Sequence, residues 1–276
     1  MSKENSTPDA RFARGLARAF AGAVLFGLPL LMTMEMWSLG FGMPAWKLAL
    51  LLALFFPFLV VLSWHAGFEP TFSWRDDVVD ALVAYAVGFV AAALVLWLLG
   101  ELRPGMSMRE LVGKVSLQAV PASIGALLSQ SQLGERDASQ ATRGGVATYW
   151  SELFIMVVGA LFLAFNLAPT EEMVLIAVKL SSLAVCGLML ASLVAMHVLT
   201  YAAAFRGRPD DHRTASGVSV LLRFSVVGYA LAFAVSAYML WTFGRLDGLA
   251  LAPALQATAV LGFPAAIGAA AARLIL

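Results

Sequence analysis

Long apolar runs separated by shorter polar segments dominate the pattern of this chain. Six strong apolar runs cover approximately residues 17–39, 46–66, 77–100, 151–170, 178–204 and 217–243. Each is near the ~20 residues that an α-helix needs to cross a bilayer. Two weaker runs, 108–130 and 252–275, are rich in Ala, Gly and Ser, which is typical of helices packed among other helices. The pattern therefore predicts an all-α, polytopic transmembrane helical bundle with about eight spans.

The composition supports a membrane environment. Of the 276 residues, 61% are hydrophobic and 13% are charged, whereas soluble domains are nearer half apolar and a quarter charged. A soluble core cannot hide this much apolar surface, so the lipid bilayer is the expected partner of the chain. The single cysteine, Cys186, excludes an intrachain disulfide, and we expect it to be a small buried hydrophobe.

Polar segments and basic residues predict the domains and the orientation. We expect a cytoplasmic tail over 1–16, a first four-helix repeat over 17–130, a polar cytoplasmic linker over 131–147 and a second repeat over 148–276. With the N-terminus in the cytoplasm, 11 Lys and Arg residues fall on the cytoplasmic side and 5 on the opposite side. This bias is what the positive-inside rule predicts for a multi-pass protein.

An internal repeat relates the two halves. GAVLFGLPLLMTMEM (22–36) aligns without a gap with GALFLAFNLAPTEEM (159–173), and PASIGA (121–126) aligns with PAAIGA (264–269). The alignment pairs three costly residue types, namely Glu35 with Glu172, Lys47 with Lys179 and His65 with His197. Four helices per repeat bring both halves into the membrane from the same side. We therefore expect parallel repeats related by a pseudo-twofold axis along the membrane normal.

Paired acidic residues after helix-breaking prolines are the leading functional candidates. The carboxylate, hydroxyl and amide oxygens of the candidate ion- or proton-binding site belong to Glu35, Glu171, Glu172, Thr33, Thr170 and Asn166. A proline removes a backbone donor and frees a carbonyl, so these oxygens together suit a hard cation or a proton. Alternatively, the acids lie at the outer headgroup boundary and cap the turn into the next helix. The 17 residues from Arg18 to Glu35 span roughly 25 Å of helix, which permits that edge position.

Two further pairs have both a functional and a structural interpretation. Lys47 and Lys179 open the next predicted helix of each repeat, where they can neutralise the acids when no cation is bound or extend to the outer interface. His65 and His197 end the same helices, as a proton relay or as structural residues. Three histidines without clustered Cys or Asp do not predict a transition-metal site.

These patterns favour transport over the other classes. No catalytic, phosphate-binding or nucleic-acid-binding motif occurs, so we expect no enzyme activity, no cofactor and no nucleic acid partner. The first hypothesis is an ion channel or a proton-coupled cation transporter whose partner is a small cation or a proton. The alternative is a membrane sensory or interaction protein that recognises a lipid or a partner without transport. A small bundle of this kind also favours a symmetric homo-oligomer.

Two segments carry a resemblance to a known family. GLPLLMTMEMW (27–37) and LAFNLAPTEEM (163–173) are similar to the signatures of an uncharacterised bacterial family of integral membrane proteins, a domain-of-unknown-function group. The similarity extends over most of the chain beyond the N-terminal tail. It implies a location in the bacterial inner (cytoplasmic) membrane, and it implies no activity.

Overall fold

The computed structural model describes the chain over residues 8–66, 73–133, 149–205 and 217–275. Within these ranges the regular secondary structure is helical and no strand occurs. The first seven residues of the predicted tail and most of the predicted linker 131–147 lie outside the described residues.

The helices follow the apolar runs. Their bounds are α1 Pro8–Leu31, α2 Met34–Gly42, α3 Ala45–Ala66, α4 Trp74–Leu98, α5 Met108–Leu133, α6 Tyr149–Leu167, α7 Glu172–Lys179, α8 Ser182–Phe205, α9 Gly217–Val220, α10 Val227–Thr242 and α11 Leu251–Ile275, with a π-helical segment over Leu221–Val226 between α9 and α10. Among the described residues, eight stretches are long and apolar enough to cross a membrane, which confirms the all-α polytopic bundle. Both weak runs are among them. The first and fifth stretches end at Leu31 and Leu167, earlier than the predicted ends at 39 and 170, because each helix breaks there.

The chain forms two compact units, Met1–Gln140 and Ala141–Leu276. In the first unit, α5 is the central helix, and every residue from Gly113 to Ser129 is buried. Helices α1, α2, α3 and α4 pack against it. In the second unit, α11 is packed by α6, α7, α8 and α10. The two central helices are the Ala- and Gly-rich runs, whose small side chains permit neighbours on several sides.

A glycine crossing holds the first helix of each unit against the central helix. An added Cβ at Gly22 or at Gly125 would come within 3.0 Å of the other glycine's carbonyl oxygen. The same holds for Gly159 and Gly268 in the second unit. The backbones therefore touch where these side chains are absent. These glycines occupy equivalent positions in the aligned repeats, while the pseudo-twofold relation between the units stays a prediction.

The outward faces of the helices are apolar. Large exposed hydrophobic side chains include Leu25, Leu54, Val90, Leu190, Val194 and Leu222. Such extensive exposure is what a bilayer-facing surface requires and what a monomeric soluble protein avoids. Cys186 belongs to the outward face of α8, so the expected burial of its side chain was wrong. An apolar environment outside the bundle accepts a thiol as readily as a protein core does.

Candidate functional site

A break between α1 and α2 places the first candidate acid. Pro29 lies in the last turns of α1 and has no N–H, which weakens the helix there. Thr33 then adopts an extended conformation with φ −101° and ψ 128°. Its Oγ1 donates a hydrogen bond of 2.8 Å to the Leu30 carbonyl, and its N–H donates one of 3.1 Å to the same oxygen. Both donors of Thr33 therefore bind the last turn of α1, which fixes the local conformation of the break.

Two residues from outside this turn also bind the break. Trp37 Nε1 donates a hydrogen bond of 2.8 Å to the Leu31 carbonyl. From the central helix α5, Gln118 Nε2 donates one of 3.2 Å to the Leu30 carbonyl. The carbonyls at the end of α1 consequently face protein donors, one of them deep in the core.

The break between α6 and α7 repeats the same local geometry. Thr170 Oγ1 donates a hydrogen bond of 2.8 Å to the Leu167 carbonyl, and its N–H donates one of 3.1 Å. Arg245, from the segment after α10, donates to the Pro169 carbonyl and lies 3.4 Å from Glu171 Oε1. The second break is thus held by an arginine, whereas the first is held by a tryptophan and a glutamine.

The two paired acids begin the short helices after the breaks. Glu35 is half-buried in the first turn of α2, and Glu172 is the exposed first residue of α7. Helix N-termini favour carboxylates. The hydrogen bond from its own backbone N–H lowers the pKa of Glu172, and Thr170 and the positive charge of Arg245 lower it further. Both acids lie beyond the ends of the apolar spans. Their position at the span ends agrees with the interpretation that the acids lie at the headgroup boundary and cap a turn. The helix breaks beside them agree with the interpretation that they bind an ion.

The remaining predicted residues occupy unlike environments in the two units. Asn166 Nδ2 donates a hydrogen bond of 2.7 Å to the Phe162 carbonyl of its own helix. Lys47 is 5% exposed in the first turn of α3, with its Nζ 6.0 Å from the centroid of the Trp46 ring. Lys179 is exposed and ends α7. The expectation that Lys179 opens a helix was wrong, because the next span begins only at Ser182.

The two histidines also differ. His65 is exposed, and its Nδ1 lies 2.8 Å from the Val61 carbonyl one turn earlier. His197 is partly buried, and its Nδ1 lies 2.9 Å from Ser225 Oγ. Ser225 belongs to the π-helical segment, a type of helix irregularity that is frequent at functional sites. Among the described residues, no group of three or more His, Cys, Asp or Glu side chains is arranged to hold a metal ion.

The central helix of the first unit carries polar groups that the sequence reasoning missed. Lys114 is 6% exposed, and its Nζ lies 3.2 Å from Glu101 and 3.3 Å from Glu110. Gln118, one turn further along α5, is 0% exposed. The i, i+4 spacing of a lysine and a glutamine within a small-residue helix was a visible signal.

Buried polar pairs also occur at the helix ends remote from the breaks. In the first unit, Ser63 Oγ donates a hydrogen bond of 2.7 Å to Asp80 Oδ2. In the second unit, Arg273 forms an ion pair with Glu152 at 2.6 Å, and its guanidinium lies 3.9 Å from the Phe224 ring centroid. Ser63 and Asp80 lie in consecutive spans, whereas Arg273 and Glu152 are 121 residues apart. Neither pair was predicted, because hydropathy does not state which side chains of two helices meet.

The fold and the candidate site are those of a polytopic α-helical integral membrane protein. In each of its two units the first helix is interrupted, and a glutamate, Glu35 or Glu172, lies beside the interruption. Residues 15–276 match the family described as Putative integral membrane protein (DUF2391). The chain belongs to this family, as the resemblance in its two signature segments predicted. No curated protein and no solved structure matches the chain.

Proposed function

We propose that the chain moves a small cation or a proton across the bacterial cytoplasmic membrane, as an ion channel or a proton-coupled carrier. In this proposal the N-terminus is cytoplasmic, and Glu35 and Glu172 are the cation- or proton-binding residues. No enzymatic step and no cofactor is part of the proposal.

One observation carries the proposal. In both units the first helix stops at a leucine carbonyl that accepts a threonine hydroxyl at 2.8 Å, and an acid follows two residues after the threonine. Interrupted helices in transporters present backbone carbonyls and helix ends to the transported ion. Carboxylate, hydroxyl and carbonyl oxygens are also the ligands that hard cations prefer. Recurrence of the whole arrangement, including the acid, supports a shared role in handling cations.

Flux through reconstituted protein tests the proposal. The full chain is placed in liposomes under K⁺, Na⁺ or proton gradients, and flux is followed with an internal dye for pH or for the ion. We compare the wild type with Glu35→Gln, with Glu172→Gln and with the double variant. Asp247→Asn, an exposed acid in the segment before α11, is the control.

The expected result is flux for the wild type and the control, and a loss of at least tenfold for the double variant. Wild-type protein that carries no flux under any of these gradients would overturn the transport proposal. Normal flux in the double variant would overturn the assignment of the two acids.

A second candidate function has an observation of its own. Both acids lie beyond the span ends, and Glu172 is exposed. This placement suits a membrane sensory or interaction protein whose acids meet a headgroup or a partner. That function predicts no flux under any gradient, together with a lipid or protein that remains bound through purification and leaves when both acids become glutamine. Native mass spectrometry of the purified chain measures this retention.

A further inference from the structure

We propose that the ion path of the first unit runs from the α1–α2 break to the side chain of Gln118, which is its first buried ligand. We further propose that the second unit holds a cation only at its surface acid, Glu172, and has no equivalent interior path. This inference rests on the proposed transport function and assigns its interior route. The ligand class is a desolvated small cation, either a metal ion or a hydronium ion, which needs an acceptor oxygen.

The buried amide of Gln118 has one oxygen that the protein leaves unused. Its side chain is 0% exposed, and Nε2 is engaged with the Leu30 carbonyl. Its Oε1 is buried and has no hydrogen-bond partner among the described residues. Leaving such an acceptor unsatisfied destabilises the folded protein, and a bound cation or hydrogen-bond donor would offset that cost. Gln118 therefore combines a fixed orientation with a free ligand atom.

A second acceptor lies next to this amide. Pro121 lies within α5 and has no N–H, so the carbonyl of Leu117 lacks its usual helical donor. Leu117 directly precedes Gln118, and both are fully buried. The central helix thus has a backbone carbonyl without its usual donor at the residue directly before Gln118. Carbonyls of this kind are how unwound or proline-containing helices coordinate ions within membranes.

Charged side chains line the approach to Gln118 from the break. Lys114 lies one helical turn away, about 6 Å along the axis. It is flanked by the carboxylates of Glu101 and Glu110 at 3.2 and 3.3 Å. Lys114, Glu101 and Glu110 together carry one net negative charge, which the guanidinium groups of Arg103 and Arg109 at the same end of α5 offset. Glu35 in the adjacent break adds a carboxylate that attracts a cation locally.

The second unit keeps the break and lacks the interior ligand. The alignment of PASIGA with PAAIGA places Leu261 at the position of Gln118 and Ala257 at the position of Lys114. Both equivalents are buried and apolar. At the second break, Arg245 binds the Pro169 carbonyl and pairs with Glu171. A cation held at the exposed carboxylate of Glu172 therefore meets a guanidinium and apolar side chains, and no polar route, on the way into the second unit.

Substitution of Gln118 tests the path. Gln118→Met keeps the length of the side chain and removes both polar atoms, and Gln118→Glu keeps the acceptor and adds a charge. Ser236→Ala is the matched control, since Ser236 is a buried residue of the second unit whose hydroxyl donates within its own helix, at 2.8 Å to the Ala232 carbonyl. Each full-length variant is checked by size-exclusion chromatography and thermal unfolding before the liposome assay.

We expect Gln118→Met to lower flux at least tenfold, and Gln118→Glu to change the selectivity among K⁺, Na⁺ and protons. Ser236→Ala should transport normally. If Gln118→Met does not fold, the test rests on Gln118→Glu. Unchanged ion selectivity and unchanged flux of that variant overturn the proposed path.

A purely structural role for Gln118 predicts a different result. Gln118→Met and Thr33→Val would then both lower the unfolding temperature, while selectivity and flux per folded protein stay unchanged. That result also overturns the proposed path.

The two proposals fail in different ways. Flux that depends on Glu35 and is untouched by either Gln118 variant refutes the path and leaves the transport proposal standing. Absence of flux in the wild type refutes the transport proposal itself.

Discussion

Adding one methyl group at the glycine crossing should weaken the first unit measurably. A Cβ at Gly125 would lie closer than 3.0 Å to the Gly22 carbonyl and to the Cβ of Phe26. The first of these neighbours is backbone, so it cannot rotate away as a flexible side chain would. Gly125→Ala therefore requires α1 and α5 to move apart by about 1 Å, and contacts along the whole crossing become poorer.

The magnitude follows from two opposing terms. Overpacking a well-packed contact costs about 1–3 kcal/mol, whereas replacing glycine by alanine within a helix gains up to about 1 kcal/mol. Gly187 in α8 supplies the matched control, because nothing lies within 4 Å of its added Cβ. Gly187→Ala should be neutral or stabilising. The difference between the two variants isolates the crossing, and we expect it to be about 1–3 kcal/mol.

Denaturation in detergent micelles measures this difference. Unfolding by a denaturing detergent is followed by far-UV circular dichroism. Thiol-reactive dyes are unsuitable, since Cys186 is exposed in the folded protein. Gly268→Ala repeats the test in the second unit and should behave like Gly125→Ala. If Gly125→Ala and Gly187→Ala agree within 0.5 kcal/mol, a margin of about the error of such comparisons, the argument from backbone contact is refuted.

Two further predictions concern charged groups. Glu152→Gln breaks the buried ion pair with Arg273 and should lower the free energy of unfolding by about 3–5 kcal/mol in the same assay. Glu171→Gln breaks the pair with Arg245, but the Glu171 carboxylate is exposed, so the loss should be about 0–1 kcal/mol. Equal losses for the two variants would contradict the argument from burial. Hydrogen bonding lowers the pKa of Glu172 from its ordinary value of 4.5. The ionised carboxylate therefore stabilises the folded protein above pH 4.5, and this stabilisation is lost as the pH falls through the lowered pKa. Glu172→Gln should make the free energy of unfolding depend less on pH in the acidic range, and an unchanged pH dependence would contradict the lowered pKa of Glu172.

The local features of the fold were predictable from the sequence. Hydropathy predicted eight spans because every span must satisfy its own backbone and present apolar side chains, and both requirements are local. The Ala- and Gly-rich runs predicted which helices are central, since only small residues permit close neighbours all round. The breaks at Thr33 and Thr170 follow from nearby proline and hydroxyl residues, although the span ends were placed several residues too late.

The partners of the buried polar groups were decided by tertiary structure alone. Gln118 meets the Leu30 carbonyl across 88 residues, and Arg273 meets Glu152 across 121 residues. Periodicity along one helix cannot state which neighbouring helix a polar side chain will face. The difference between the two central helices is readable in the aligned repeats, where Leu261 and Ala257 stand in place of Gln118 and Lys114. The sequence by itself determined a membrane bundle with two acid-bearing breaks. Only the packing of distant helices decided that one break leads to a buried amide while the other is held by an arginine.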